Sequence, residues 1–203
     1  MITVLAIDTA APRLQLALLG PDGQTDTSID DLAQGHAELI FDRIGRLLER
    51  NGLGHTLIER IAVTTGPGSF TGLRIGLSAA RGLGLARDLP VIGVPSLLAL
   101  SFSGPAATPF SVLLDARRGE AYFQPFAAPA TPLAPPMVLA MQDARDRAGT
   151  APVIESPFVD IALLARFAQT AAPEDFVPEA AYVRSADAKP QDRARIARRR
   201  EEQ

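Results

Sequence analysis

Residues 63–86, VTTGPGSFTGLRIGLSAARGLGLA, hold the chain's densest set of groups able to touch an anion. An apolar strand runs through Gly66, Pro67, Gly68, Ser69, Phe70, Thr71 and Gly72 into a long helix, and such a loop leaves backbone N–H groups without intrahelical acceptors. Two phosphate signatures can be tested on it. A Walker loop needs Lys and then Ser or Thr after its last glycine, but Gly72 is followed by Leu73 and Arg74. A dinucleotide fingerprint needs its last glycine one position earlier than Gly72, and it does not have Pro67 stiffening the turn. With Asp8 and Thr9, which follow the first apolar run, the residues Gly66, Gly68 and Ser69 are the set from which a nucleotide contact would be built. The competing reading makes the loop a tight strand-to-helix turn and gives Asp8 and Asp115 the task of accepting backbone N–H groups at strand ends.

Other chemistry has less to work with. The two histidines, His36 and His55, lie 19 residues apart and read as helix-start or surface residues. Cysteine is absent, which removes disulfides, thiolate metal sites and thiol nucleophiles. Ser69 has neither a Gly-x-Ser-x-Gly setting nor a histidine in a recognisable arrangement. The residues therefore assign no catalytic group, no cofactor and no metal.

The elements that position this loop follow from hydrophobic period. Ile2–Asp8 and Leu14–Leu19 read as strands, Gly20–Gly23 as a turn and Gln24–Ile29 as a third strand. His36–Asn51 carries Ala37, Ile40, Phe41, Ile44, Leu47 and Leu48 at helical spacing. The strand Ile61–Thr65, the glycine-rich helix, the strand Val91–Val94 and a short helix from Ser96 complete a βββαβαβα order. In the second helix Gly72, Gly76, Ala80 and Gly84 recur every four residues and form one ridge of small side chains. Each glycine costs roughly 1 kcal/mol against alanine in a helix, so a close approach must compensate. The approach is either to the chain's own sheet or to a partner's helix. Leu73, Ile75, Leu77, Leu83 and Leu85 surround the ridge and predict burial on more than one side.

Ser111–Asp115 repeats the opening strand and its aspartate at an offset of 107 residues, placing Ala121 on Leu14 and Phe123 on Leu16. An internal duplication follows. Pro125, Pro129, Pro132, Pro135 and Pro136 then read as an alanine-proline connector, followed by helices near 140–147 and 160–170. The reading divides the chain into a first lobe (1–104), a reduced second lobe (105–183) and a basic tail (184–203).

With 203 residues, 47% apolar and 21% charged, the chain can bury the core of one large or two small domains. Its net charge of −3 supplies no general attraction to nucleic acid, although the tail from Arg184 holds seven basic and four acidic residues. The Arg193–Arg200 cluster could touch RNA, but a solvated tail is the simpler account. The N-terminus lacks a basic leader and the apolar runs are short of a membrane span, so a cytoplasmic protein is expected.

A strand–turn–strand opening with an aspartate, repeated in two lobes, resembles the actin-like, Hsp70 ATPase and sugar-kinase (ASKHA) fold. Within it the chain is most similar to the TsaB (YeaZ-like) family, through LAIDT (5–9), GPGSFTGLRIGLSAARGLGLA (66–86), PVIGVPSLLAL (90–100) and LLDARRGEAYF (113–123). The match covers about 125 residues well, and the C-terminal third only through PEAAYVR (178–184). The resemblance implies a non-catalytic subunit for threonylcarbamoyl transfer to N6 of an adenosine in tRNA. Such a subunit docks on the catalytic TsaD, is engaged by the ATPase TsaE, pairs with itself when alone and meets tRNA only indirectly. TsaD carries a His-x-x-x-His metal pair, and the matching positions here are Ser96 and Leu100, which cannot replace imidazole. In the family the helices matching 36–51 and 71–87 form the partner surface. The expected interface is Leu39, Arg43, Arg46, Leu73, Gly76, Leu77, Ala80 and Gly84. The alternative is a divergent small-molecule kinase or nucleotide hydrolase using Asp8, Thr9 and the Gly66–Gly72 loop, against which stands the loss of glycine-rich loops after Gly119, where Gly149 alone remains.

Overall fold

A computed structural model of the chain describes residues 1–32, 34–181 and 183. The basic tail, and with it the Arg193–Arg200 cluster, lies outside the described residues. The first sheet is built from β1 (Val4–Asp8), β2 (Arg13–Leu19), β3 (Thr25–Asp31), β4 (Arg60–Gly66) and β5 (Val91–Pro95), in the order β3-β2-β1-β4-β5. β1 sits in the middle, antiparallel to β2 and parallel to β4, and is buried along its whole length, as its unbroken VLAID run requires.

Period-two alternation sends β1 to two cores. Leu5 and Ile7, with Leu14, Leu16 and Leu18 of β2, meet helices α1 (His36–Arg50) and α2 (Phe70–Arg87) through Ile40, Ile44, Leu47, Leu77 and Ala80. Val4 and Ala6, with Ala17 and Leu19, face the opposite way. There they join α3 (Ser96–Ser101) and α5 (Ile161–Thr170).

The second sheet comprises β6 (Phe110–Arg117), β7 (Glu120–Ala128), β8 (Thr131–Pro132), β9 (Met137–Ala140) and β10 (Val153–Ile154), with α4 (Met141–Ala148) against β7 and β9. β6 pairs antiparallel with β7 and parallel with β10, as β1 does with β2 and β4, so the duplication is real in topology. The two-lobed ASKHA plan is present, with a smaller second lobe. Register differs by one residue: Asp8 pairs with Gln15, whereas Asp115 pairs with Ala121. The cause is a tighter second hairpin, which turns through Arg117, Arg118 and Gly119 at positive φ. Phe110, Val112, Leu114 and Phe126 of this sheet share the core of Val4 and Ala6, so the lobes are fused through one apolar interior. Phe110 and Phe126 stack at 5.5 Å.

The expected alanine-proline connector is in part sheet. Pro132 lies in β8 at the sheet's edge, where a missing N–H leaves no partner unsatisfied, and Pro125 lies in the interior strand β7 between the stretch paired with β9 and the stretch paired with β8; Pro129, Pro135 and Pro136 remain in the connecting turns. The third strand is shifted and longer than predicted, because ion pairs hold its polar residues: Arg13–Asp31 at 2.6 Å, Arg43–Asp30 at 2.9 Å and Arg50–Asp26 at 2.5 Å. Arg60 caps α5 by donating to the carbonyls of Ala168 (2.7 Å) and Ala171 (2.9 Å). The chain then returns along the free side of β5, where Gly93 N–H donates to Phe176 O (2.7 Å), and reaches the end of β4, where Ala181 N–H donates to Thr65 O (2.8 Å).

The small-residue ridge of α2 packs inside its own lobe. A Cβ on Gly72 would overlap the Thr9 carbonyl oxygen, one on Gly76 the Thr9 hydroxyl, and one on Gly84 the Val91 side chain. Gly82, on the same helix, has nothing within 4 Å of that position. Gly72→Ala should therefore cost about 1–3 kcal/mol or more through overpacking, whereas Gly82→Ala should stabilise by roughly 0.5–1 kcal/mol. Urea denaturation of the two variants checks this contrast, and equal midpoints would refute the packing.

Candidate functional site

The Gly66–Gly72 loop is shaped by the turn it leans on. Ser69 N–H donates to Ala10 O (2.7 Å), Thr9 Oγ1 to Gly72 O (2.7 Å), and Ser69 Oγ caps α2 by accepting from Gly72 N–H (3.2 Å). A Cβ on Gly68 would stand 2.6 Å from Ala10 O. Gly68 and Gly72 thus admit the close approach of the β1–β2 turn.

Asp8 is wholly buried and its oxygens are engaged. Oδ1 accepts from Thr64 Oγ1 (2.5 Å) and Ala10 N–H (3.1 Å), and Oδ2 from Gln15 Nε2 (3.1 Å). Burial pushes its carboxyl above the usual range, against the pull of the Thr64, Gln15 and Ala10 hydrogen bonds and of His36. Of the residues set aside for a nucleotide, Asp8, Thr9 and Gly66 are buried under protein, and Gly68 and Ser69 reach a surface. Asp8 has the turn-capping task, since Ala10 N–H is among its donors. Asp115 likewise accepts from Arg117 N–H at 2.7 Å, but it is exposed. Among the described residues no group of three or more His, Asp or Glu side chains could hold a metal.

Two concave surfaces flank the loop. The first is an open groove of about 450 Å³ between α1 and α2, lined by Ala37, Ile40, Phe41, Phe70, Thr71, Arg74, Ile75, Ser78 and Ala79. Phe41 and Phe70 are 57% and 56% exposed, and the Arg74 guanidinium lies 3.7 Å over the Phe70 ring. The second is an interlobe cleft of about 540 Å³ between the β1–β2 turn, Pro67–Ser69, Ser96 and the second-lobe residues Leu114–Arg117, Tyr122 and Glu155–Val159.

The expected interface is corrected by this geometry. Leu73, Gly76, Leu77, Ala80 and Gly84 are buried against their own lobe, where Gly76 lies close to Thr9 and Gly84 to Val91. A charge at Leu77 would break the core rather than probe a contact. Leu39 is half-buried against α1's core, and Arg43 is spent on Asp30 and Asp42. Arg46 is exposed, paired with Asp42 at 3.0 Å. Leu85 is exposed, contrary to the expected two-sided burial of α2. The outward face instead carries Ala37 and Phe41 of α1 with Phe70, Arg74 and Ser78 of α2. Phe41 fits the apolar spacing of α1 so well that the sequence reads it as core; its neighbour Arg74 was the available signal, a cation four residues after Phe70 on one helical face.

The family described as TsaD, tRNA N6-adenosine threonylcarbamoyltransferase, matches residues 30–146, more than half of the chain and including both groove helices. The chain belongs to the TsaD family. Within it, the curated relatives place this TsaD-family chain in the TsaB/YeaZ branch. It is 38% identical over 126 residues to a protein of Haemophilus influenzae named tRNA threonylcarbamoyladenosine biosynthesis protein TsaB, and 37% identical over 123 residues to the Escherichia coli protein of the same name. These matches cover 60% and 59% of this chain and 52% and 53% of the relatives, so the chain matches about half the length of each. The structure named YeaZ from Pseudomonas aeruginosa superposes with a TM-score of 0.75 at 24% identity, over 90% of this chain and all of that one, and shares its fold. No helix among the described residues is long and apolar enough to cross a membrane.

The Asp8 environment has a measurable consequence. Because its folded-state pKa is raised, the native state binds the proton more tightly than the unfolded chain does. Stability contributed by this group is therefore greatest at low pH and falls as pH rises from about 4 through the raised native value. Urea titrations across pH should show the wild type losing stability relative to Asp8→Asn over that window; parallel pH profiles would contradict the assignment.

Proposed function

We propose that this chain is a non-catalytic docking subunit for threonylcarbamoyladenosine synthesis on tRNA. It offers the α1–α2 groove to a TsaD-type catalytic subunit and, when alone, to a second copy of itself. The observation that carries the reading is the groove: two phenylalanines more than half exposed on adjacent helices, beside Ala37, Ile75 and Ala79. Exposed aromatics flanked by arginine are what a buried interface centre uses.

Several features support a role without bond-making. Asp8, the aspartate a phosphotransferase lobe would turn toward its ligand, is fully enclosed with both oxygens hydrogen-bonded. Ser96 and Leu100, which stand where the catalytic sister family has its histidine pair, are buried at the start of α3 and within it. Docking would act by favouring the partner conformation able to hold its substrates, through differential affinity for that state. A TsaE-type ATPase would engage the assembled pair in the cytoplasm, and tRNA would meet this chain only through the complex.

Phe41→Glu and Phe70→Glu, both at exposed positions, should leave the fold intact by circular dichroism while each weakens association by about tenfold or more, the usual cost of an interface hot spot. Size-exclusion chromatography with light scattering reads self-association, and co-purification with the TsaD-type subunit reads the heterocomplex. Undiminished assembly by the folded double variant would overturn the docking surface. Threonylcarbamoyl transfer by the isolated chain would overturn the non-catalytic role.

A further inference from the structure

The interlobe cleft lies on the opposite side of the α2 start from the docking groove and is used by nothing above. From its geometry we infer that the cleft is a binding site for a free α-amino acid, held with its carboxylate toward the first lobe and its ammonium toward the second.

The first-lobe wall is suited to an anion. Helix α2, eighteen residues long, starts at the part of this wall formed by Gly68 and Ser69; the Ser69 and Gly72 N–H groups are taken by Ala10 O and Ser69 Oγ, so this end favours a carboxylate through the helix's partial positive charge. Ser96, also in the wall, is 3% exposed and its hydroxyl has no hydrogen-bond partner among the described residues. A buried hydroxyl without a partner costs free energy in the empty protein, and a ligand oxygen would recover it. Both groups stand just beyond the carboxyl ends of parallel strands, β4 and β5, where open α/β sheets place their ligands.

The second-lobe wall has the opposite character. Among the described residues it contributes Asp115 and Glu155 against one cation, Arg117. The ion pairs they make are long and exposed, Asp115 Oδ2 to Arg117 at 3.5 Å and Glu155 to Arg145 at 3.6 Å; Asp115 Oδ1 is held by the Arg117 N–H at 2.7 Å, which leaves Asp115 Oδ2 and the Glu155 carboxylate to meet an ammonium group. Pro12, Pro67, Leu114, Pro157 and Val159 supply apolar surface for a side chain. The volume falls within the roughly 300–1,000 Å³ of small-molecule sites. A simple anion satisfies one wall only. A zwitterion satisfies both.

Calorimetric titration of the full chain with each free L-α-amino acid tests this, with the N-acetyl and α-amide derivatives of any binder, and inorganic phosphate, as controls. At least one amino acid should bind saturably, and blocking either its amine or its carboxylate should weaken it by about tenfold or more. Ser96→Ala and the exposed double variant Asp115→Asn with Glu155→Gln should each weaken binding similarly, while Phe41→Glu leaves it unchanged and so separates this site from the docking groove. The proposal is overturned if no amino acid binds, if inorganic phosphate or the N-acetyl derivative binds as well as the free amino acid, or if binding survives both cleft variants.

Discussion

The contact between the β1–β2 turn and the first turns of α2 sets the geometry of everything around it. Thr9 and Ala10 lie against Gly68, Gly72 and Gly76 so closely that a methyl group at any of the three would collide, and the Thr9 hydroxyl and Ser69 N–H lock the approach. That contact brings α2 down onto the centre of the first sheet. It turns Phe70 and Arg74 outward beside α1 and leaves Gly68 and Ser69 facing the second lobe. Groove and cleft are thus two faces of one close-packed joint. The helical cost of the glycines is offset by the sheet contacts they permit.

The second lobe is held by burial rather than by a hinge. Residues of both sheets share a core, α5 belongs to the second half in sequence yet packs beneath β1 and β2, and Arg60 fastens its C-terminal carbonyls. Gln15 adds a polar tie, since its amide reaches both Asp8 and the Val159 carbonyl at 3.3 Å. Opening the lobes would expose Phe110, Phe126 and their neighbours to water, at about 1.5–3 kcal/mol for each large side chain.

Much of the fold was legible because it rests on local signals: the alternating and continuous apolar runs, the glycine-proline turn, and the repeated strand ending in aspartate. The register of the second hairpin was not, because a single residue lost from a turn leaves no trace in composition. The proline-rich stretch is ambiguous for a related reason, since proline is compatible with a sheet edge, as at Pro132, or with a gap between two partner strands, as at Pro125, and the sequence shows neither. The ridge on α2 shows the limit for sites. Recurrent glycine records that something comes close and does not record what, and here it was Thr9 and Val91. Phe41 reads as core because an exposed aromatic on an amphipathic helix has the same spacing as a buried one, and Phe70 reads as loop because the helix starts one residue earlier than the glycine-rich turn suggests.

The border strand β3 limits how copies of this molecule can meet. Its three aspartates are tethered by arginines from β2 and α1, and the opposite border is covered where Gly93 meets Phe176. Charged side chains on one rim and the returning segment on the other both disfavour the addition of another strand. Oligomers built on this lobe are therefore steered away from cross-chain sheet extension, and with it from the fibrous aggregation that open rims invite.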